Sequence, residues 1–240
     1  MKRMARILTF TATALLCAGV ANAGKYSDTI DVFRNAGESG TFFNRSYAYA
    51  VFPTVGEGGF VVDVGGGTTE VAAVAGWRVV RAESLRMAGN AMDDAIISAA
   101  RSGLGMILSQ RAARQLKAEL GLTGGPEGWA ETVGLDAARR TPRVEKVPGD
   151  LVAAALGPVV SAIGTTVQNV LSDIPAGLAE DVVRGQVRLS GGGALLPGLA
   201  GRLSEVAGMG VTVVDDPLRA VVRGAAAMLG SGGAPGGVER

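Results

Sequence analysis

Apolar positions in this chain change their spacing several times, and each change marks an element. Phe60–Val64 and Val71–Val74 are short apolar runs, and with Trp77–Leu85 they predict three strands. From Asn90 to about Leu104 the spacing becomes helical, with Met92, Ile96 and Ala100 on one face. Asp93 and Asp94 are expected in the first turn of that helix, where its dipole favours acids. Gln110–Leu120 predicts a second helix, with Leu116 and Leu120 on one face. Residues 128–146 suit a hairpin. Leu151–Leu171 predicts a long helix, with Gly157-Pro158 as its candidate break. Leu178–Val183, Gly185–Leu189, Leu195–Val206, Val211–Val214 and Leu218–Leu229 then alternate helix and strand. The expected organisation is α/β.

The first 59 residues follow other rules. Lys2, Arg3 and Arg6 precede the apolar stretch Ile7–Val20, and Ala21-Asn22-Ala23 has the small-x-small form of a cleavage site. This predicts a secretory signal peptide over residues 1–23, too short to span a bilayer comfortably. Tyr26–Phe33 suggests a helix capped at Ser27 or Asp28. Phe42, Phe43, Tyr47, Tyr49 and Phe52 are five of the eleven aromatic residues of the chain. They concentrate in a segment, 24–59, that is too short to bury a core alone. Residues 231–240 form a Gly-rich tail.

The candidate chemistry lies in two glycine triplets. Asp63-Val64-Gly65-Gly66-Gly67-Thr68-Thr69-Glu70 joins the first two strands, so its turn is all backbone. A turn without Cβ atoms lets its amide N–H groups approach an anion. Asp63 is placed to hold a metal ion through water, and Thr68 and Thr69 to touch a phosphate or orient a water. One triplet alone equally suits an ordinary hairpin turn. The second, Ser190-Gly191-Gly192-Gly193-Ala194, also follows a strand-like run and opens a helix-like one. Two such elements suggest two walls of one nucleotide site.

Composition narrows the chemistry further. The chain of 240 residues is 48% hydrophobic, has 37 glycines and is only 5% aromatic, so the core is aliphatic. The net charge of +1 gives no electrostatic case for nucleic acid. There is no histidine, which removes Ser-His-Asp triads and His metal sites. Cys17 is the single cysteine, which removes structural zinc and internal disulfides. Any metal is then a hard, oxygen-bound ion such as magnesium.

Two resemblances follow from these residues. Tyr47-Ala48-Tyr49-Ala50-Val51-Phe52-Pro53-Thr54-Val55-Gly56-Glu57-Gly58-Gly59 resembles the opening of the SYLF lipid-binding domain. Residues 60–229 resemble the C-terminal half of MreB, the bacterial actin-like cell-shape family. The carrying motifs are Val61 to Ala72, Met87-Ala88-Gly89-Asn90-Ala91-Met92-Asp93-Asp94-Ala95-Ile96-Ile97, Ile174-Pro175, Leu178-Ala179-Glu180-Asp181, Leu189 to Leu196, and Asp215-Asp216-Pro217-Leu218. The second resemblance implies half of the ribonuclease-H-like fold of the actin-like ATPases, and ATP with magnesium as cofactors. It implies that Gly65, Gly66 and Gly67 hold the β- and γ-phosphates, that Asp63 helps hold magnesium, and that Thr68 orients the attacking water. It implies that Lys117 lines the nucleoside pocket and that Gly191, Gly192, Gly193 and Ala194 form the adenosine motif.

The chain also departs from that pattern. Arg114 stands where the family has a Glu that accepts hydrogen bonds from ribose, and a guanidinium has no acceptor. The first phosphate loop and the Glu-Pro element of the other half have no counterpart before residue 60. The expectation is therefore a partial cell-shape protein that binds ATP or ADP with impaired hydrolysis. Its exposed cleft face would self-associate or need an actin-like partner. The alternatives are an exported, lipid- or envelope-associated SYLF-type protein, or a truncated fusion without function. Location divides the same way: outside the cytoplasm if the leader works, at the cytoplasmic membrane face if the actin-like half does.

Overall fold

The computed structural model describes residues 58–75 and 78–223. The leader, most of the SYLF-like segment, residues 224–229 of the last expected helix and the Gly-rich tail lie outside the described residues.

A five-stranded sheet carries the site. Its strands are β1 (Gly58–Val64), β2 (Thr69–Ala75), β3 (Arg78–Leu85), β7 (Val187–Ser190) and β8 (Val211–Val213), in the order β3-β2-β1-β7-β8. The first three form an antiparallel meander, and β7 runs parallel to both β1 and β8. Strand β1 is the centre: Phe60, Val61, Val62 and Val64 are all buried. A central strand covered on both faces reads as an unbroken apolar run, which is the pattern seen in the sequence. Each such side chain contributes about 1.5–3 kcal/mol by leaving water.

Two helices follow the meander, α1 (Gly89–Leu104) and α2 (Gln110–Leu120), separated by the short strand β4 (Met106–Ile107). Helix α2 starts where the sequence predicts, because the Ser109 hydroxyl caps it by accepting the Ala112 amide at 3.2 Å. The expected hairpin is β5 (Trp129–Asp136) with β6 (Pro142–Pro148), and it completes a smaller antiparallel sheet, β4-β5-β6.

Helix α3 (Gly149–Ser172) runs unbroken through Pro158, where a break was expected. An interior proline costs about 3 kcal/mol. Burial of Val152, Leu156, Val159, Val160, Ile163, Val167 and Val170 outweighs it. Helix α4 (Ala179–Gly185) then leads into β7. The helix expected over Leu195–Val206 starts later. A 3-10 turn spans Gly192–Leu195, and α5 begins at Leu199 and ends at Ala207. Pro197 has no N–H to continue the turn, and Gly198 takes the left-handed conformation at φ 86°. Residues 220–223, after β8, are helical.

Candidate functional site

Strand pairing builds a polar row across one end of the large sheet. Ser84 on β3 lies opposite Glu70 on β2, Glu70 opposite Asp63 on β1, and Asp63 opposite Ser190 on β7. Directly paired residues project to the same face, so the register alone gathers these four side chains. Hydrogen bonds join them at both ends of the row. Ser190 Oγ donates to Asp63 Oδ1 at 2.6 Å, and Ser84 Oγ donates to Glu70 Oε1 at 2.8 Å. The row sits at the carboxyl ends of the parallel strands β1 and β7, where open α/β sheets place their ligands.

The two carboxyls share this wall and suffer for it. Burial raises the pKa of Asp63, against the opposing hydrogen bond from Ser190. Glu70 is pushed up to about 7, first by burial and then by the charge of Asp63, while bonds from Ser84 and Thr68 pull it down. The donor set is all oxygen, the chemistry that suits magnesium rather than zinc. It fits the expected role of Asp63 toward such an ion.

The first glycine turn stands immediately beyond the row. The Gly65 amide donates to the Thr68 carbonyl at 2.9 Å and closes the hairpin. Gly66 and Gly67 are exposed, and Thr68 is half-buried with its hydroxyl on Glu70. Thr69 is buried, and its Oγ1 donates to the Met87 carbonyl at 2.8 Å. It therefore anchors the turn to the segment entering α1.

Helix α1 has no side-chain cap. Its leading amides are satisfied by the turn instead: Gly89 N donates to Gly65 O at 3.1 Å and Asn90 N to Gly66 O at 2.7 Å. A Cβ at Gly89 would stand 3.2 Å from Gly65 O, so turn and helix approach as closely as glycine allows.

The second glycine turn reaches the same place from β7. Gly191 adopts φ 79°, and a Cβ there would fall inside contact distance of the Val64 carbonyl. Gly193 is buried against the Val64 side chain with no room for a Cβ. The Gly191 amide donates to Pro217 O at 3.0 Å. Gly192 is exposed beside Leu218, and Ala194 is buried. The two triplets thus meet across β1, as the sequence suggests. Leu195 and Leu218 stand exposed at this edge, with 56% and 67% of their surface open.

Arg114 and Lys117 share one face of α2, and both reach Asp93 of α1. Lys117 Nζ lies 2.6 Å from Asp93 Oδ1 and donates to Gly89 O at 2.8 Å. Arg114 Nε donates to Asp93 Oδ2 at 3.0 Å. Asp93 is 1% exposed, Lys117 18% and Arg114 61%. Asp93 is therefore a buried ion-pair centre, not the solvent-facing dipole partner that its place in the sequence suggests. Asp94, its neighbour, is exposed, but with α1 starting at Gly89 both acids lie beyond the first turn where they were expected.

The sequence that builds this sheet and its glycine turns matches a known family. The profile described as MreB/Mbl protein covers residues 53–233. The chain belongs to the MreB/Mbl family. MreB of Escherichia coli K12 is 36% identical over 169 residues, which are 70% of this chain and 49% of that protein. Mbl of Bacillus subtilis is 32% identical over 175 residues, 72% of this chain and 52% of that one. The chain spans about half the length of these MreB/Mbl relatives.

Solved structures place the fold. MreB5 of Spiroplasma citri bound to AMPPNP superposes with a TM-score of 0.68 at 25% identity, over 73% of this chain and 53% of that one. The MamK double helical filament superposes at 0.61 and 24% identity, over 71% and 53%. The fold is that of half an actin-like ATPase. These matches lend no support to the SYLF resemblance of residues 25–59. The MreB/Mbl match itself begins at residue 53, inside that segment.

Three residues of the site, Ser84, Ser190 and Glu70, have no role assigned by sequence pattern, and Asp93 has a different one. Ser190 had a signal, since it is a hydroxyl closing an apolar strand run and is fully buried. Asp93 had another: it shares the buried face of Met92 and Ile96, where a charge needs a partner.

Proposed function

We propose that this chain is an MreB-type, actin-like protein that binds ATP or ADP with magnesium at the meeting point of its two glycine turns. The observation that carries this reading is the convergence itself. Segments about 125 residues apart in sequence are brought to one sheet end by the β1–β7 pairing. Gly191 and Gly193 pack on Val64 as only glycine can. A solved relative with this fold holds AMPPNP, and a second structure of it holds ADP.

In this reading the exposed amides of Gly66 and Gly67 face the phosphates, and the Gly191–Ala194 turn forms the adenosine wall. Asp63 holds magnesium through water, and Ser190 fixes its orientation. Bound magnesium supplies charge neutralisation to the phosphates. Thr68 Oγ1, held by Glu70, orients a water near the terminal phosphate. Hydrolysis is slow in the isolated chain, because charge stabilisation needs donors on every side of the phosphate. Exposed Leu195 and Leu218 mark the edge where a second half or a second copy completes the cleft. Cell-shape function at the cytoplasmic membrane face goes with this activity.

The test is equilibrium binding of labelled ATP with magnesium to the full chain, with Gly66→Asp as control. Position 66 has open space, its nearest neighbour being the Asn90 side chain at 3.8 Å, so Asp adds charge without a clash. Binding that the control abolishes supports the site. Equal binding by both, or by neither, refutes it.

A further inference from the structure

Lys117 is tied up before any ligand arrives. Its side chain is 18% exposed, and its ammonium lies 2.6 Å from Asp93 Oδ1 and donates to the carbonyl of Gly89 at 2.8 Å. Gly89 is also the residue whose amide meets Gly65 in the glycine turn. A continuous set of polar contacts therefore runs from helix α2 through Asp93 and Lys117 to Gly89 and on to Gly65 and Gly66. Gly89 lacks the Cβ that would hold the turn away.

We infer that Lys117 and Asp93 are positioning residues for the glycine turn. They fix the N-terminus of α1, and that N-terminus fixes the carbonyls of Gly65 and Gly66, which orients the amides on the opposite side of the same peptides. In this assignment Lys117 acts through the turn, not as a contact to the nucleoside. The inference rests on the turn being the phosphate site.

Arg114 belongs to the same device. With Lys117 on one oxygen of Asp93 and Arg114 on the other, the buried carboxylate has a cation on each side. A buried carboxylate with a single partner is poorly compensated, and a second cation fixes it in one orientation. The cation at position 114 thus steadies the ion pair that steadies the turn.

The experiment is peptide-level hydrogen exchange on the ligand-free full chain, followed by Mg·ADP titration. The variants are Lys117→Met, Lys117→Arg and Gly89→Ala. The Met variant keeps side-chain length and removes both contacts. The Ala variant keeps both charged side chains and wedges α1 from the turn, its Cβ standing 3.2 Å from Gly65 O and 3.4 Å from Lys117 Nζ. Lys117→Met and Gly89→Ala are each expected to speed exchange in the 64–69 segment at least tenfold, with the β5–β6 hairpin unchanged. Lys117→Arg is expected to restore most of the protection. The ADP dissociation constant rises at least tenfold wherever exchange rises.

Unchanged turn exchange in Lys117→Met overturns the inference, whatever Gly89→Ala shows. So does weaker ADP binding by Lys117→Met with turn exchange at the wild-type rate, because a direct nucleoside contact gives that result. Exchange is read without nucleotide, so a chain that binds no ADP still tests the positioning role. If Lys117→Met exchanges throughout, Arg114→Met takes its place, because it removes the other cation on Asp93: faster turn exchange upholds the inference and unchanged exchange overturns it.

Discussion

Glu70 gives the sharpest quantitative expectation. Its carboxyl stands beside Asp63 in a buried row, and its pKa rises from an ordinary 4.5 to about 7. The folded state therefore holds this proton more tightly than the unfolded chain. Its stabilising contribution is complete below about pH 4.5 and is lost as pH rises through about 7. At about 1.4 kcal/mol per pH unit the full effect is at most about 3.5 kcal/mol. Partial solvent screening brings the expectation to about 1–2 kcal/mol. Asp63 shifts in the same direction, so its contribution has the same sign. Asp136 is lowered and has the opposite sign, but it titrates below its ordinary 3.8, outside this window.

The assay is urea denaturation followed by circular dichroism between pH 5 and 8, in EDTA so that no divalent cation masks the carboxyls. The midpoint should fall by about 0.5–1 M urea across that range. Glu70→Gln should flatten the slope and exceed the parent in stability at pH 8. The neutral amide keeps an acceptor for Ser84 and removes the repulsion with Asp63. A parent midpoint that is flat or rises with pH, or an equal slope in Glu70→Gln, would refute the account of the row.

Four further outcomes are expected. Gly193→Ala forces a Cβ into the Val64 side chain, and should cost about 1–3 kcal/mol in the same unfolding assay. Asp93→Asn leaves Lys117 and Arg114 without their shared carboxylate, and should cost about 3–5 kcal/mol; a loss under about 1 kcal/mol would count against a buried ion-pair centre. Light scattering after size exclusion should show association that Leu195→Ser with Leu218→Ser reduces, and a monomeric parent would remove the exposed edge as an interface. An alkaline phosphatase fusion after residue 40 should be inactive in cells if the protein works at the cytoplasmic face; strong activity would show that the leader exports it.

Much of this was legible in local sequence, and the exceptions have local causes. The strands around the first glycine turn, the hairpin and helices α1 and α2 follow from period and capping. Gly89 starts α1 one residue early because the turn, not a side chain, receives its amide. Pro158 misleads because the tertiary burial of α3 overrides a local penalty. Pro197-Gly198 delays α5, and the dipeptide is itself a recognisable stop. The glycine turns could be read as candidate site elements because glycine has a specific backbone use. The carboxyl row could not, since it exists only through the register of four strands. The Asp93 ion pair needs the docking of two helices, and no spacing along the chain reports that.

The pairing of β1 with β7 has a consequence for how the protein is made. Asp63 and Ser190 are separated by 127 positions, and their contact closes the site. Contacts this distant in sequence form slowly, since a long loop must be closed before they contribute anything. A chain still on the ribosome can fold its meander, its hairpin and α1 long before β7 emerges. During that interval the β1 edge that β7 will occupy is unpaired and lined by buried-type valines, the kind of edge that invites aggregation. Any ligand that needs both glycine turns can therefore bind only after β7 and the Gly191–Ala194 turn have emerged.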